Sequence, residues 1–251
     1  MAPEFILFAM LIGYLAGSFS AARFIVRVFA PDHVLNGIRA EVPEGNAVFQ
    51  SNVISATTVR LQLGSRYGCL TSILDMLKAS LPALVFRAWQ PDQAYYLIAA
   101  GSATAGHIWP IYYHFKGGRG MSPILGGMFV VDWLGVIITQ AVGAVTGLVI
   151  NNTMIMIGTG TALMIPWIWL RTHAWPEVIY MIAMNVLFWY AMIPELKEFM
   201  RLKKEGSLEE FSDASRLRIV GRKGSEITER RGMAQLRARI MRLIQGEKKQ
   251  T

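Results

Sequence analysis

Residues 106–123, GHIWPIYYHFKGGRGMSP, join an apolar helix that carries a histidine to a basic, glycine-rich loop. The glycines let the backbone turn so that several N–H groups point the same way, and two cationic side chains add charge that attracts an anion. Ser122 and Pro123 fit the N-cap and the first position of the next helix, whose positive dipole end lies at the same place. The sequence therefore predicts a phosphate-binding loop that consists of Lys116, Gly117, Gly118, Arg119 and Gly120.

A plainer interpretation of this loop stays open. A tight cytoplasmic turn between two membrane helices explains the positive charges equally well, because cytoplasmic loops are rich in Lys and Arg. An ordinary nucleotide-binding P-loop does not fit, because no Gly-Lys-Ser or Gly-Lys-Thr stands at the required spacing. Spacing alone does not decide between a phosphate site and a plain turn.

The composition indicates a membrane protein. Of the 251 residues, 53% are hydrophobic and 17% are charged, and the mean hydropathy is +0.36. A soluble domain with a polar shell is hard to build from such a chain. The single cysteine, Cys69, permits no disulfide within the chain, and we expect it to be an inert packing residue.

Positive charge is concentrated near the C-terminus. Fifteen of the 25 Lys and Arg residues lie beyond residue 194, and the formal net charge is +8. A predicted membrane helix comes directly before this tail, so we expect the tail to meet anionic lipid headgroups rather than nucleic acid. Residues 233–244 place apolar side chains opposite arginines, as in an interfacial helix, with a solvated extension as the alternative. We divide the chain into a membrane domain, 1–206, and a basic extension, 207–251.

Apolar stretches predict an all-α integral membrane protein with about seven transmembrane helices. A polar connection, 31–66, follows the first span. Asp132 interrupts the apolar region at 122–150, and two helices there, one of them short, place the tail on the same side as the basic loops. The N-terminus is then outside and the C-terminus cytoplasmic. The predicted spans are 5–30, 68–89, 95–113, 122–131, 134–150, 153–170 and 177–193.

The second span contains an acidic and a basic residue, Asp75 and Lys78, on one helical face. Each charge costs about 2.5–3.5 kcal/mol at the centre of a bilayer, so the pair should face other helices or a polar cavity. A structural ion pair and a role beside a substrate pocket both explain it.

Three polar, basic stretches share the cytoplasmic surface in the seven-helix topology: 51–60, 116–122 and the start of the tail. Their convergence predicts a site that binds a phosphorylated molecule while a lipid chain lies in the bilayer. His107 is close enough to this surface to contact such a substrate, although a histidine on an apolar helix is often a structural hydrogen-bonding group. Ser51 is available as a hydroxyl, but nothing in the sequence fixes a catalytic triad, and no residues stand at metal-ligand spacing.

The pattern Gly-His-x-x-Pro at 106–110, followed by Phe-Lys-Gly-Gly-Arg-Gly at 115–120, resembles the hallmark of the bacterial acyl-phosphate:glycerol-3-phosphate acyltransferases. These are integral membrane enzymes with seven spans. Other similarities follow in the same order along residues 5–206: Gly17 and Ser18, a loop with Ser51, Ala56 and Thr57, Gly64 and Gly68, and Asp75 with Lys78.

The resemblance implies transfer of a fatty acyl group from acyl phosphate to glycerol 3-phosphate or a related phosphorylated acceptor. The reaction belongs to phospholipid biosynthesis at a bacterial-type plasma membrane, releases phosphate and needs no cofactor. The residues implied in catalysis are Ser51, His107 and Arg119. Those implied in phosphate binding are Lys116, Gly117, Gly118, Gly120 and Arg60, with Asp75 and Lys78 in support.

The chain also departs from the pattern of this family. In the serine loop, family glycines and asparagines are replaced by Asn52, Val53, Ser55 and Thr58, and the arginine after it aligns with Leu61, next to Arg60. Arg119 replaces a lysine, and the last motif aligns with Leu196, Glu198 and Phe199, without its histidine and asparagine. These losses motivate an alternative, a catalytically silent homologue that binds lipid or a protein partner. A transporter is a third and weaker hypothesis, because no inverted repeat is visible.

Overall fold

The computed structural model describes residues 1–35, 37–41, 48–150, 153–204 and 218–219. These residues form α-helices, one 3-10 turn and three short strands. The helices are α1 Pro3–Ser18, α2 Ala21–Phe29, α3 Ala56–Leu63, α4 Ser65–Trp89, α5 Tyr95–Ile108, α6 Met121–Ile150, α7 Thr153–Thr172 and α8 Trp175–Lys204, with the 3-10 turn at Ile111–Tyr113. The strands are β1 Ile38–Glu41, β2 Val48–Ser51 and β3 Arg218–Ile219.

Long apolar helices dominate the molecule, which confirms the predicted membrane fold. Within the described ranges, five helical stretches are long and apolar enough to cross a membrane: Pro3–Phe29, Ser65–Trp89, Met121–Ile150, Met154–Thr172 and Trp175–Leu202. Helix α5 is shorter, with 14 residues, and most of its side chains are buried among the others. It is therefore the centre around which the longer helices pack.

Glycines bring α1 and α5 into direct backbone contact. A Cβ atom at Gly13 would overlap the carbonyl oxygen of Ala99, and one at Gly17 would overlap that of Ala103. The two helices run parallel, because successive residues of α1 meet successive residues of α5. Small residues at this spacing allow close helix packing where lipid supplies no hydrophobic driving force.

The long helix α6 is two helical segments joined at Asp132, whose φ of −155° and ψ of 97° are not helical. Its first segment, 121–131, runs antiparallel to α5, since Gly120 contacts Ile108 and Gly127 contacts Ala100. Its second segment, 133–150, runs antiparallel to α7: the sites of Gly135 and Gly147 face Trp167 and Met156.

Contacts of α7 and α8 show that the chain reverses at Asp132. Helix α8 runs parallel to α5, because Glu177 bonds Tyr96 and Tyr190 lies against Trp109. Helix α7 runs antiparallel to α8, because Thr161 bonds Asn185 and Gly158 faces Trp189. The second segment of α6 therefore runs parallel to α5, opposite to the first segment, as the prediction of two helices in this region requires.

The bundle has a loop end, where α1 and α5 finish, and an opposite end, where they begin. At the opposite end the Ala2 backbone N–H donates to Tyr95 Oη at 2.6 Å, and Arg171 Nη1 donates to Asp132 Oδ1 at 2.9 Å. Helix α8 finishes at the loop end, beside Ser51. These directions are consistent with seven crossings, but the exact count and the side on which each terminus lies stay predictions.

Residues of the polar connection form a small sheet at the loop end, an element that the all-α prediction did not include. Strand β1 pairs antiparallel with β2, with Ile38 opposite Ser51, and with β3, with Ala40 opposite Ile219. Strand β3 belongs to the basic extension, so part of this extension pairs with the membrane domain. The predicted interfacial helix at 233–244 lies outside the described residues, and the boundary at 206 stays a prediction.

Candidate phosphate-binding site

A narrow cavity of about 10 Å³ lies at the loop end of the bundle, beside the short interruption between helices α1 and α2. This is the space of about one water molecule. This interruption places the start of α2 beside the ends of α1 and α5. The lining residues are Gly17, Ser18, Phe19, Ser20, Ala22, Arg23, Ile54, Asp75, Lys78, His107, Pro110, Gly117 and Gly118.

The predicted charged pair of α4 forms one wall of this cavity. Asp75 Oδ1 lies 2.8 Å from Lys78 Nζ and 3.4 Å from His107 Nδ1, and the side chains of Asp75 and Lys78 are 3% and 7% exposed. Lys78 Nζ also donates to the carbonyl oxygen of Phe19 at 2.8 Å. The pair is thus an ion pair and a part of the cavity wall at once, so the two explanations left open by the sequence are compatible.

The glycine-rich loop folds back onto His107. The Gly118 N–H donates to the His107 carbonyl oxygen at 3.0 Å. A Cβ at Gly117 would overlap that carbonyl, and one at Gly118 would overlap His107 Nε2. Gly120 has a φ of 81°, which only glycine adopts without strain. The loop therefore needs glycine at these positions because no side chain fits between it and α5.

Ser51 and Arg119 meet at a carboxylate that the sequence analysis did not select. Ser51 Oγ donates to Glu195 Oε1 at 2.9 Å, and Arg119 Nη2 forms an ion pair with the same oxygen. Glu195 is 4% exposed and Ser51 6%. Helix α8 thus brings the serine loop and the glycine-rich loop together, although they are far apart in the chain.

Glu195 was not predicted from the sequence, in which the last family motif aligns with Leu196, Glu198 and Phe199. Glu198 forms an ion pair with Arg201 at 2.7 Å, in which the Arg201 side chain is 54% exposed. It lies three residues beyond the buried carboxylate. The available signal was a charge directly after Pro194, at the end of an apolar span.

Two predicted phosphate-binding side chains lie away from the cavity. Lys116 has an exposed side chain, and its carbonyl oxygen accepts a hydrogen bond from Arg23 Nη2 at 3.2 Å. Arg60 is an exposed residue of α3 whose backbone packs against Gly68. The geometry thus unites His107, Asp75, Lys78 and the loop glycines, and leaves these two cations at the rim. No cluster of potential metal ligands occurs in the described parts of the chain.

Comparison with known families places this arrangement in a context. The family model "Glycerol-3-phosphate acyltransferase" matches residues 7–202, most of the chain. The chain belongs to the glycerol-3-phosphate acyltransferase family. The match includes α1 to α8 almost entirely, and with them both sets of site residues.

Curated relatives in this acyltransferase family include proteins named glycerol-3-phosphate acyltransferase from three bacteria. The protein of Aquifex aeolicus is 31% identical over 141 residues, 52% of this chain and 67% of the relative. That of Brucella anthropi is 33% identical over 141 residues, which are 56% of this chain and 63% of the relative. That of Legionella pneumophila strain Lens is 27% identical over 124 residues, which are 49% of this chain and 40% of the relative. The chain thus spans about two fifths of the Legionella relatives that it matches.

Two solved structures share the fold of this acyltransferase family member. Both are of PlsY (YgiH), described as an integral membrane glycerol 3-phosphate acyltransferase, one in its lysophosphatidic acid form and one in its glycerol 3-phosphate form. Each superposes with a TM-score of 0.65 at 23% identity and covers 78% of this chain and 92% of the other. The likeness confirms the helical membrane fold.

Proposed function

We propose that this protein is a membrane acyltransferase that moves a fatty acyl group from acyl phosphate to glycerol 3-phosphate or a closely related phosphorylated acceptor. One observation carries the proposal: the glycine-rich loop closes over His107, Asp75 and Lys78 beside a cavity at the loop end. Family membership and the names of the relatives support the same reaction.

The loop supplies the groups that an anionic substrate needs. The Gly118 N–H is bonded to the His107 carbonyl oxygen, so the backbone N–H groups at Gly117, Arg119 and Gly120, together with the N-terminal end of α6, favour a phosphate there. The His107 side chain supports the loop, because its ring fills the space that a Cβ atom of residue 118 would need. Its role in the proposal is therefore to position the loop rather than to accept a proton.

The chemistry needs little more than positioning. The acceptor hydroxyl oxygen attacks the acyl carbon, the bond from that carbon to the phosphate oxygen breaks, and the hydroxyl proton ends on the released phosphate. An acyl phosphate is already activated, so orientation and neutralisation of charge are sufficient without a covalent enzyme intermediate. We assign to Ser51, whose hydroxyl donates to Glu195 Oε1, the orientation of one of the reacting groups.

The deciding experiment is an acyl-transfer assay on the purified full chain in detergent, with radiolabelled glycerol 3-phosphate and palmitoyl phosphate. We expect labelled lysophosphatidate that depends on both substrates. A family member with intact motifs serves as the positive control. No product with a panel of acyl phosphates and small phosphate acceptors, while the control turns over, contradicts the proposal.

A second candidate is a catalytically silent homologue that binds anionic lipid through its basic extension. The observation in its favour is that Arg119, the expected charge partner of the substrate, is already paired with Glu195. Vesicles with and without phosphatidylglycerol, offered to the full chain and to a chain that ends at residue 206, separate the two functions. Loss of selective lipid binding on truncation, together with no turnover by the full chain, supports the silent homologue.

We further propose that the protein lies in a bacterial-type plasma membrane with its loop end in the cytoplasm. The support is the positive charge at that end, from Arg23, Lys116 and the start of the extension, as the positive-inside rule describes. Glycerol 3-phosphate, the water-soluble substrate, then reaches the site from the cytoplasm.

A further inference from the structure

Arg23 is a cation of the cavity wall that lies outside the glycine-rich loop and the serine loop. It belongs to the first turn of α2, where Ser20 Oγ accepts hydrogen bonds from the Arg23 backbone N–H at 3.4 Å and from Nη1 at 3.3 Å. Its Nη2 donates to the Lys116 carbonyl oxygen at 3.2 Å, and its guanidinium carbon lies 4.1 Å from the centre of the Tyr113 ring. These contacts fix the guanidinium group between α2 and the glycine-rich loop.

The charges of the wall single out Arg23. The lining holds two strong cations, Arg23 and Lys78, and one carboxylate, Asp75, beside His107. The carboxylate lies against Lys78 and His107, at 2.8 and 3.4 Å. In the described part of the chain, Arg23 instead contacts a hydroxyl, a carbonyl and an aromatic ring, none of which cancels its charge. Without Arg23, the wall would carry no net positive charge when His107 is neutral.

A phosphate monoester requires that excess charge. It carries up to two negative charges, and a guanidinium group offers N–H donors in a planar fork that matches two phosphate oxygens. A guanidinium has five such donors, and the contacts above occupy two of them. Donors therefore remain for a ligand on the side of the cavity.

We propose that Arg23 binds the phosphate group of the acceptor, glycerol 3-phosphate, and so sets the specificity of this site for a phosphorylated acceptor. The inference rests on the proposed function. It adds a binding residue from α2, outside the glycine-rich loop and the serine loop. Arg23 thereby does two things at once: it holds the loop through the Lys116 carbonyl and it presents charge to the substrate.

The test compares Arg23→Gln with Arg27→Gln in purified protein. Arg27 lies one helical turn further along α2, is exposed and does not line the cavity, so it is a matched control. We expect Arg23→Gln to raise the KM for glycerol 3-phosphate about tenfold or more, because a charged hydrogen bond is lost. The KM for acyl phosphate and the kcat should change less than about threefold, and Arg27→Gln should match the wild type. An equal rise in both KM values, or no rise in either, overturns the proposal.

Phosphate binding without turnover provides an independent measurement. The shift in Tm caused by inorganic phosphate should be present in the wild type and in Arg27→Gln, absent in Arg23→Gln, and largely kept in Arg23→Lys, which retains the charge. If Arg23→Gln does not fold, the pair of wild type and Arg23→Lys decides, and complete loss in Arg23→Lys contradicts a charge-based role. A phosphate shift that depends on Arg23 in a protein without turnover refutes the proposed reaction but not this inference. Normal turnover by Arg23→Gln at unchanged KM refutes the inference but not the reaction.

Discussion

Gly118 is the residue at which the backbone of the glycine-rich loop comes closest to the imidazole of His107. A Cβ atom there would overlap Nε2 of the ring, whereas one at Gly101, on α5, would meet its nearest neighbour, the flexible Cε of Met184, at an ordinary 3.5 Å. The two positions therefore separate a steric requirement of the site from a general effect of adding a methyl group.

Gly118→Ala should reduce acyl transfer at least about a hundredfold, because the loop must move off His107 and misplaced reacting groups cost about that factor. Gly101→Ala should keep wild-type activity and a similar Tm, since alanine is favoured in a helix. The measurement is kcat/KM together with the Tm of each variant. Equal activity of the two variants would show that the loop does not need its contact with His107.

Glu195 is a buried carboxylate shared by Ser51 and Arg119. Removing one partner of a buried ion pair leaves the other charge uncompensated, which costs about 3–5 kcal/mol, whereas exposed pairs contribute about 0–1 kcal/mol. The Arg119 side chain is 22% exposed, so we expect a loss toward the lower end of the buried range.

Glu195→Gln should therefore lower the free energy of unfolding by about 3 kcal/mol. It should also reduce turnover, because Ser51 loses its charged acceptor. The matched control is Glu198→Gln, at an exposed pair on the same helix, which should change stability by less than about 0.5 kcal/mol. Thermal unfolding in detergent measures the stability of both variants. A larger effect at 198 than at 195 would contradict the stabilising role of Glu195.

Helix α6 has a chain reversal that a carboxylate stabilises. Asp132 Oδ1 accepts hydrogen bonds from the Gly135 N–H and from Arg171 Nη1, both at 2.9 Å, and Oδ2 accepts from Trp167 Nε1 at 3.2 Å. The first bond caps the second segment of α6, and the other two attach the end of α7 to the reversal. One side chain thus fixes where two antiparallel segments meet.

Asp132→Ala should lower the free energy of unfolding by about 3 kcal/mol, the sum expected for a lost cap and for polar partners left unsatisfied. Asp132→Asn should lose less, because its amide oxygen can still accept from Gly135. Asp92→Ala, at an exposed position between α4 and α5, is the control and should stay within about 0.5 kcal/mol. An unchanged free energy of unfolding in Asp132→Ala would show that packing alone stabilises the reversal.

The whole molecule has its N-terminus at one end of the bundle and the end of α8 at the other. The reversal at Asp132 is consistent with the predicted seven passages in place of six. The residues 121–131 of the fourth passage are about 16 Å long at 1.5 Å per residue, against about 30 Å of hydrocarbon. The bilayer must therefore thin, or the segment must be shielded by its neighbours, at this point.

Single cysteines introduced on a Cys69→Ser background test this topology. Glu4→Cys should react in intact cells with a maleimide that does not cross membranes, whereas Lys204→Cys should react only after the cells are permeabilised. Both positions are exposed, apart from any effect of the membrane. Labelling of both from the same side would contradict an odd number of crossings, and labelling of Lys204→Cys in intact cells would place the loop end outside the cytoplasm.

Much of the fold was predictable because lipid imposes length and composition on each span. The long apolar helices, the interruption at Asp132 and the ion pair of Asp75 with Lys78 all follow from hydrophobicity and from the cost of charge in a bilayer. The sheet at the loop end was not predicted, because two of its strands have four residues each and the third has two, too short for a clear alternating pattern.

The candidate site was predicted where a local pattern or the family resemblance indicated its residues. The sequence by itself determined the loop at 116–120, since glycine and cationic side chains at adjacent positions define local backbone and charge. The tertiary structure decided that Arg23 lines the cavity and that Glu195 joins Ser51 to Arg119, while the side chains of Lys116 and Arg60 are exposed and outside the cavity lining. The physical reason is that contacts between α2, α8 and the loop depend on how helices far apart in the chain pack, and hydrophobic periodicity fixes which face of a helix is buried but not which neighbour covers it.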